Sequence, residues 1–594
     1  MHKTCPPAIL ESGTPASTGG LRPLNSRRTL RLCGVAPILA IAGLMATATP
    51  VEAVCTDDGT TVTCVGGSGT TVVLSGSLVR LENSAGTLND GVLIDNTVPE
   101  TVINASTGVI DNNGFAIEST GTSADTVDNS GVIQGTGAGS ISLGAGNDTL
   151  INRAGSIADP VFMGTGSDLI QLFGGTLHGD ISFGDGNDEL QWTGGGVGNG
   201  IDISMGDGDD TATLTDLTNV QLHGNINSID GDLGNDQLVL VNSSNTNAND
   251  AANGVHVNDM LGWEDISLTQ GSELRFNTGS DSMILGDSVT GTGSLSIDET
   301  SILNFGNGSA HQIRPAIGGE LVTVTNAGLI DLARDDAAED ALTVVGNYIG
   351  AGGTVALNTF LGSDGSPSDR LVISSGTASG TSFLQINNVG GLGALTTGSG
   401  ILVVDAINGA TTDDAFRLAG PVVAGPYEYL LFKGNGNPEA WYLRSTLTPP
   451  PTPPTPPPTP PPTPPPTPPV PNYRQEVSLY AALPALTLLY GRTLVDTLHQ
   501  RRGEDRPLGL KDLGGPPGRT AWGRIIGEHG DHDTGRGGIF HEGPDYDFSF
   551  AALQLGADVY RAQGSDWLAH PRRGASRDRR RLERRQPLHR NRRR

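Results

Sequence analysis

A repeat near the middle of the chain constrains the fold more than anything else in the sequence. Four segments align without gaps: ISLGAGNDTL at 141–150, VFMGTGSDLI at 161–170, ISFGDGNDEL at 181–190 and ISMGDGDDTA at 203–212, with a looser copy, GDLGNDQLVL, at 231–240. Each carries an apolar-x-apolar triplet, the period-two mark of a strand with one buried face. Gly-x-Gly-x-Asp follows it and supplies positive-φ positions and Asx hydrogen bonds for a sharp turn. A second motif recurs upstream, TVINASTGVI at 101, TVDNSGVI at 126 and TLINRAGSI at 149. Short strands and turns at a period of about 20–25 residues describe coils that cannot bury a face alone and share a core when stacked. The expectation is an all-β chain built on a right-handed parallel β-helix. At about 22 residues per coil the stretch before the proline tract gives about 18 coils and a rod of about 85 Å.

Composition supports this reading and removes others. Glycine supplies 85 of 594 residues, which disfavours long helices. Residues 54–448 carry 9 Lys/Arg against 47 Asp/Glu, so the body has no cationic surface for phosphates and no nucleic-acid partner is expected. Four cysteines exclude a disulfide-stapled scaffold.

Arg27, Arg28 and Arg31 precede an apolar run, Val35–Met45, and Val51-Glu52-Ala53 fits a small-x-small cleavage site. Residues 1–53 therefore read as a signal peptide cleaved between Ala53 and Val54. Cys55 and Cys64 follow at once and are candidates for a disulfide in an oxidising compartment, with two free thiols as the alternative.

No catalytic residues are indicated and the chain is not expected to be an enzyme. The body's histidines, His178, His223, His256 and His311, are scattered, and the Gly362–Pro367 loop has the wrong order for a serine-protease nucleophile. Metal sites are equally unsupported, the weak candidates being calcium at Asp148, Asp168, Asp188 and Asp210. One such turn per coil differs from the nine-residue calcium repeats of RTX proteins, and the expectation is that these aspartates face water and are simply solvated. No cofactor is expected.

Residues 449–471 hold 17 prolines in 23 positions, a polyproline II spacer of about 70 Å. Beyond it, 472–500 has leucines at helical spacing (Leu486, Leu489, Leu494, Leu498), and 519–528 and 545–561 alternate like strands. With PVVAGPYEYLLFKGNGNPEAWYLRS at 421–445, RQEVSLYAALPAL from Arg474 to Leu486 and AWGRIIGEHG at 521–530, the chain resembles a monomeric autotransporter of type V secretion with a pertactin-like passenger.

That resemblance implies a β-helix passenger at 54–340 and an autochaperone-like C-terminal passenger segment at 341–446. After the linker at 449–471 it implies a pore helix at 472–515 and the start of an outer-membrane β-barrel at 516–567. An Arg-rich tail at 568–594, with 12 arginines after residue 570, reads as out of frame, and the barrel as truncated or frameshifted. The function implied is translocation and anchoring of a surface rod, an adhesin or structural element. A β-helical enzyme or a calcium-stiffened rod is the alternative. The implied partners are outer-membrane lipid, the barrel-assembly machinery and a receptor on a host or cell surface. The implied location is the outer membrane with the passenger at the cell surface, or the periplasm for an incomplete barrel.

Overall fold

The computed structural model describes residues 54–557, apart from 67–68, 199, 218–225, 248–249, 255, 277–280, 306–309, 435, 448–468, 504–520 and 534–544. The signal segment with Ala53 of its proposed cleavage site, residues 449–468 of the proline tract and the Arg-rich tail lie outside the described residues.

From Thr61 onward the chain winds into stacked coils, each supplying short strands to parallel sheets. One coil runs through Leu169–Leu172, Thr176–Leu177 and Ile181–Asp185, and the next through Glu189–Trp192, Gly196–Val197 and Ile201–Asp207. Equivalent strands pair in register, Leu169 on Glu189, Thr176 on Gly196 and Ile181 on Ile203. The inward side chains therefore form columns. Leu150, Ile170, Leu190 and Ala212 make one, and Val161, Ile181 and Ile203 another, all essentially inaccessible to water. Burying stacked apolar side chains at roughly 25 cal/mol per Å² is what holds the coils together.

Register also shows how the coils change. The step from Leu169 to its partner Glu189 is short. Gln237 pairs with Asp265, Ser294 with Thr323 and Ile349 with Ser379, each a longer step along the chain. The expected 18 coils assumed a constant length. The later coils are longer, so fewer fill the same stretch, and the repeat blurs because the extra residues fall in the connections.

The Gly-x-Gly pattern has a steric cause at its first glycine. Gly164, Gly184 and Gly206 have φ of +117°, +110° and +103°. A Cβ on any of them would sit 1.6–1.7 Å from the carbonyl oxygen of the glycine one coil below. Only glycine permits both the left-handed backbone and the coil-to-coil approach.

Antiparallel strands cover part of each end of the solenoid. Val54–Asp57 folds back on Thr61–Val65, and the disulfide Cys55–Cys64 joins them. At the far end Ile401–Ile407 pairs with Trp441–Arg444, which pairs with Tyr427–Lys433 and then Val422–Ala424.

The residues on either side of the proline tract pair with one another. Thr446 bridges Pro471 in antiparallel fashion, the Leu447 N–H donates to the Val470 carbonyl at 3.0 Å, and the Asn472 N–H to that of Ser445 at 2.7 Å. Tyr473 stacks on Tyr427 at 5.5 Å.

A helix, Glu476–Gly503, follows, then a hairpin of Ala521–His532 and Tyr546–Ala557. Leu486 and Leu489 on the predicted face, with Tyr490 and Thr493, meet Glu528, Phe548 and Phe550 of the hairpin. Tyr490 packs edge-on against Phe550 at 5.3 Å and the Thr493 hydroxyl donates to Glu528 at 2.6 Å. Among the described residues no helix is long and apolar enough to cross a membrane, which says nothing of strands.

Candidate functional site

The four aspartates singled out as possible calcium ligands do not face water. Asp148, Asp168, Asp188 and Asp210 are 1–2% exposed and stacked at one inward corner of successive coils. The turn before each is outside: Asn147 and Ser167 are exposed. The expectation of solvated aspartates fails at the last turn residue, where the chain re-enters the wall and the Asp side chain points in with it.

Each carboxylate accepts the backbone N–H of the acid one coil earlier. Asp148 N–H donates to Asp168 at 2.7 Å, Asp168 to Asp188 at 2.6 Å and Asp188 to Asp210 at 2.6 Å. The column extends further than the repeat announced. Asp125 N–H donates to Asp148, Asp210 to Asp236 and Asp236 to Glu264, each at 2.7 Å. Asp236 was legible in the looser copy at 231–240, whereas Asp125 and Glu264 carry no Gly-x-Gly turn to mark them.

The second oxygens divide the column. Near its ends hydroxyls meet them at two rungs, Ser119 donating to Asp125 at 2.9 Å and Thr290 donating to Glu264, while Glu100, whose N–H donates to Asp125 at 3.1 Å, begins the column with one oxygen unpartnered. In the middle, one oxygen each of Asp148, Asp168, Asp188, Asp210 and Asp236 is buried with no hydrogen-bond partner. Burial pushes the carboxyls of Asp148 and Asp188 up to about 7, those of Asp168 and Asp210 to about 6, and Asp236 to about 8, against the backbone N–H bond that favours the anion. Among the described residues no group of three or more His, Cys, Asp or Glu side chains is arranged to hold a metal ion.

A second polar column, missed in the sequence, runs beside it. Asn83, Asn104, Asn129 and Asn152 are buried, and the side-chain amide of each of the first three donates to the next amide oxygen at 2.9 Å. Its signal was the Asn ending each TVIN, TVDN and TLIN segment.

The remaining candidates do not converge. His178 is exposed and His256 half-buried on other coils, and His311 is buried against the rings of Phe276 and Phe305 at 5.3 and 5.2 Å. His223 lies outside the described residues. The Gly362–Pro367 loop is a structural clamp, with Asp364 accepting the N–H groups of Thr397, Gly398 and Gly400 at 2.7–2.9 Å. An open cleft of about 650 Å³ beside it is lined by Glu339, Asp364, Ser366, Arg370 and Tyr442, and no histidine reaches it.

Comparison with known proteins bears on the cap that this clamp belongs to. Residues 319–431 match the model of the autochaperone domain type 1. The chain is 34% identical over 228 residues to the adhesin BmaC autotransporter of Brucella suis, covering 35% of this chain and 6% of that one. It is 36% identical over 116 residues to the autotransporter adhesin AIDA-I of Escherichia coli, covering 19% of this chain and 9% of that one. Over these stretches the chain is similar to autotransporters. It is also 32% identical over 320 residues to the uncharacterized protein YuaQ of Escherichia coli, 51% of this chain and 22% of YuaQ. The chain thus spans less than a quarter of the length of YuaQ and of BmaC. The autochaperone match takes in the last long coils and part of the antiparallel cap, where stacking ends.

Proposed function

We propose that residues 54–447 form the displayed passenger of an autotransporter, a rod that acts by surface adhesion and not by catalysis. The observation that carries the reading is a column-stacked solenoid ending in an autochaperone-type cap, in a chain similar to two proteins described as adhesins. The rod offers repeated outward strand faces, while its polar groups of chemical interest are buried in ladders.

The helix and hairpin fit the role of the membrane anchor. Ile525, Leu553 and Leu555 project from the hairpin at 85%, 67% and 75% exposure, an apolar face suited to lipid, while the helix meets Phe548 and Phe550 of the second strand. Export would proceed through residues 1–53 with cleavage after Ala53, leaving Val54 first. The partners of this reading are outer-membrane lipid, the machinery that assembles barrels there and a receptor on a facing cell.

Cells expressing the chain with an epitope in the exposed turn at Asn147 provide the test. Labelling of intact cells, together with adhesion or clumping above a passenger-deleted control, is expected. Display without any gain in adhesion would remove the adhesin reading and leave a structural rod.

A further inference from the structure

We propose that Asp148, Asp168, Asp188, Asp210 and Asp236 are proton-binding sites, each carrying a proton on its second carboxyl oxygen, so that the rod takes up protons as it folds.

The argument is geometric. The five side chains are at most 2% exposed, and each uses one oxygen to accept the backbone N–H of the coil below. The other oxygen has no donor. At Asp125 and Glu264 of the same column a hydroxyl supplies that donor, from Ser119 and Thr290. At Asp369, in the later coils, two backbone N–H groups do so, from Asp340 at 3.0 Å and Asn358 at 2.6 Å. The middle of the column therefore lacks what these three carboxylates possess. A naked anion in that position would bear its desolvation unrelieved.

Among the described residues no cation relieves it. The charged groups acting on these sites are all acids: Asp125 and Asp168 on Asp148, Asp168 and Asp210 on Asp188, Asp207, Asp209 and Asp232 on Asp210, and Asp210, Glu264 and Asp287 on Asp236. Coils that place carboxyl above carboxyl repeat the repulsion at every step, and a proton removes it at each rung without displacing a backbone bond.

The full chain, refolded in dilute unbuffered solution, tests this directly. Unfolding at pH 6 should release protons, and Asp168→Asn/Asp188→Asn should release fewer, while the exposed Asp185→Asn should match wild type. Each site that keeps its proton should raise the unfolding equilibrium up to about tenfold per pH unit as pH climbs. Should the double variant fail to fold, infrared spectra of the folded wild type at pH 6 decide. A protonated-carboxyl carbonyl stretch that vanishes by pH 9 supports the proposal, and its absence at pH 6 overturns it. Equal proton release by wild type and a folded double variant would also overturn it. So would a rise in melting temperature at pH 8 with calcium that the double variant loses, since the occupant would then be a cation.

Discussion

The coils carrying residues 125–236 and the segment from 319 to 444 have the same wall of buried aliphatic side chains but opposite ways of satisfying polar groups. In the first, like stands on like: aspartate over aspartate, asparagine over asparagine, glycine over glycine. In the second, unlike groups lock together. Arg444, 2% exposed, donates to the carbonyls of Ser399 and Gly434 and lies against the rings of Phe432 and Tyr442 at 5.1 and 6.0 Å. The Tyr429 hydroxyl bonds Gly362 and Ala394 at 2.8–2.9 Å, and Asp364 gathers three N–H groups. Translation along the rod explains the contrast. A repeated coil can offer its neighbour only a copy of itself, so a residue that both donates and accepts, such as asparagine, stacks without loss. One that only accepts leaves an oxygen over. The last coil has no copy above it and is free to use complementary partners.

The largest effect tests the feature common to both regions. Val161→Asp or Ile181→Asp places an unpaired charge in the shared wall and should cost about 4 kcal/mol or more, as should Leu371→Asp in the later coils. Asn147→Asp and Ser167→Asp, on the exposed turns, should stay within about 0.5 kcal/mol. Denaturant midpoints of the four early variants are the measurement, and equal losses at wall and turn would break the register on which the comparison rests.

Smaller and confined to one side are changes in the cap. Tyr429→Phe removes a buried hydroxyl bonded to the backbone of Gly362 and Ala394, and should cost about 1–3 kcal/mol. Arg444→Met removes the buried cation and strands the carbonyls of Ser399 and Gly434, with a similar cost. Hydrogen exchange should speed up in 394–444 and stay unchanged in 125–236. A uniform increase along the rod would mean that the two regions open as one unit.

The column and the Asp364 clamp should respond to pH with opposite sign, while Asp369 in the later coils, pushed up to about 7 by burial, follows the column. In the column the folded carboxyls sit above the ordinary 3.8, near 6 to 8, so the folded state binds more protons than the unfolded one. Its stability is present at acid pH and declines as pH rises through that window. Asp364 is opposite: burial raises its carboxyl, but the N–H groups of Thr397, Gly400 and Gly398 outweigh this and hold it below 3.8. Its contribution is present above 3.8 and disappears as pH falls through the lower folded value. Exchange at pH 8 should therefore speed up in 125–236, and exchange at pH 3 at the amides of Thr397, Gly398 and Gly400 that Asp364 holds. The reverse pattern would contradict both assignments.

How much of this was legible follows from the same symmetry. The walls were readable because period-two alternation names its inward residues, and Val161 and Ile181 are buried as read. The fate of Asp148 was not. A Gly-x-Gly-x-Asp string looks the same whether its aspartate caps the turn outward or starts the next strand inward, and only the coil-to-coil register makes the choice. Cap residues such as Arg444 and Asp364 were invisible as a pair because they lie far apart in the chain and no repeat connects them.

The smallest effect concerns the other end of the rod. Cys55 is exposed and Cys64 buried, and their disulfide closes a hairpin whose outer strand, Val54–Asp57, pairs with Thr61–Val65. A loop of this length is worth about 2–3 kcal/mol in the chain-entropy model. That figure belongs to the hairpin alone, because Thr61–Val65 remains paired with Arg80–Leu88 when the outer strand leaves. Reduction should expose the amides of residues 54–58 to exchange. The main unfolding transition should shift by less than about 0.5 kcal/mol, the scale of a surface change that touches no shared core. If the midpoint drops as far as in the Tyr429→Phe variant, the N-terminal hairpin is a true end cap. The rod would then be held from both ends by unlike groups, with the like-on-like columns merely filling the space between.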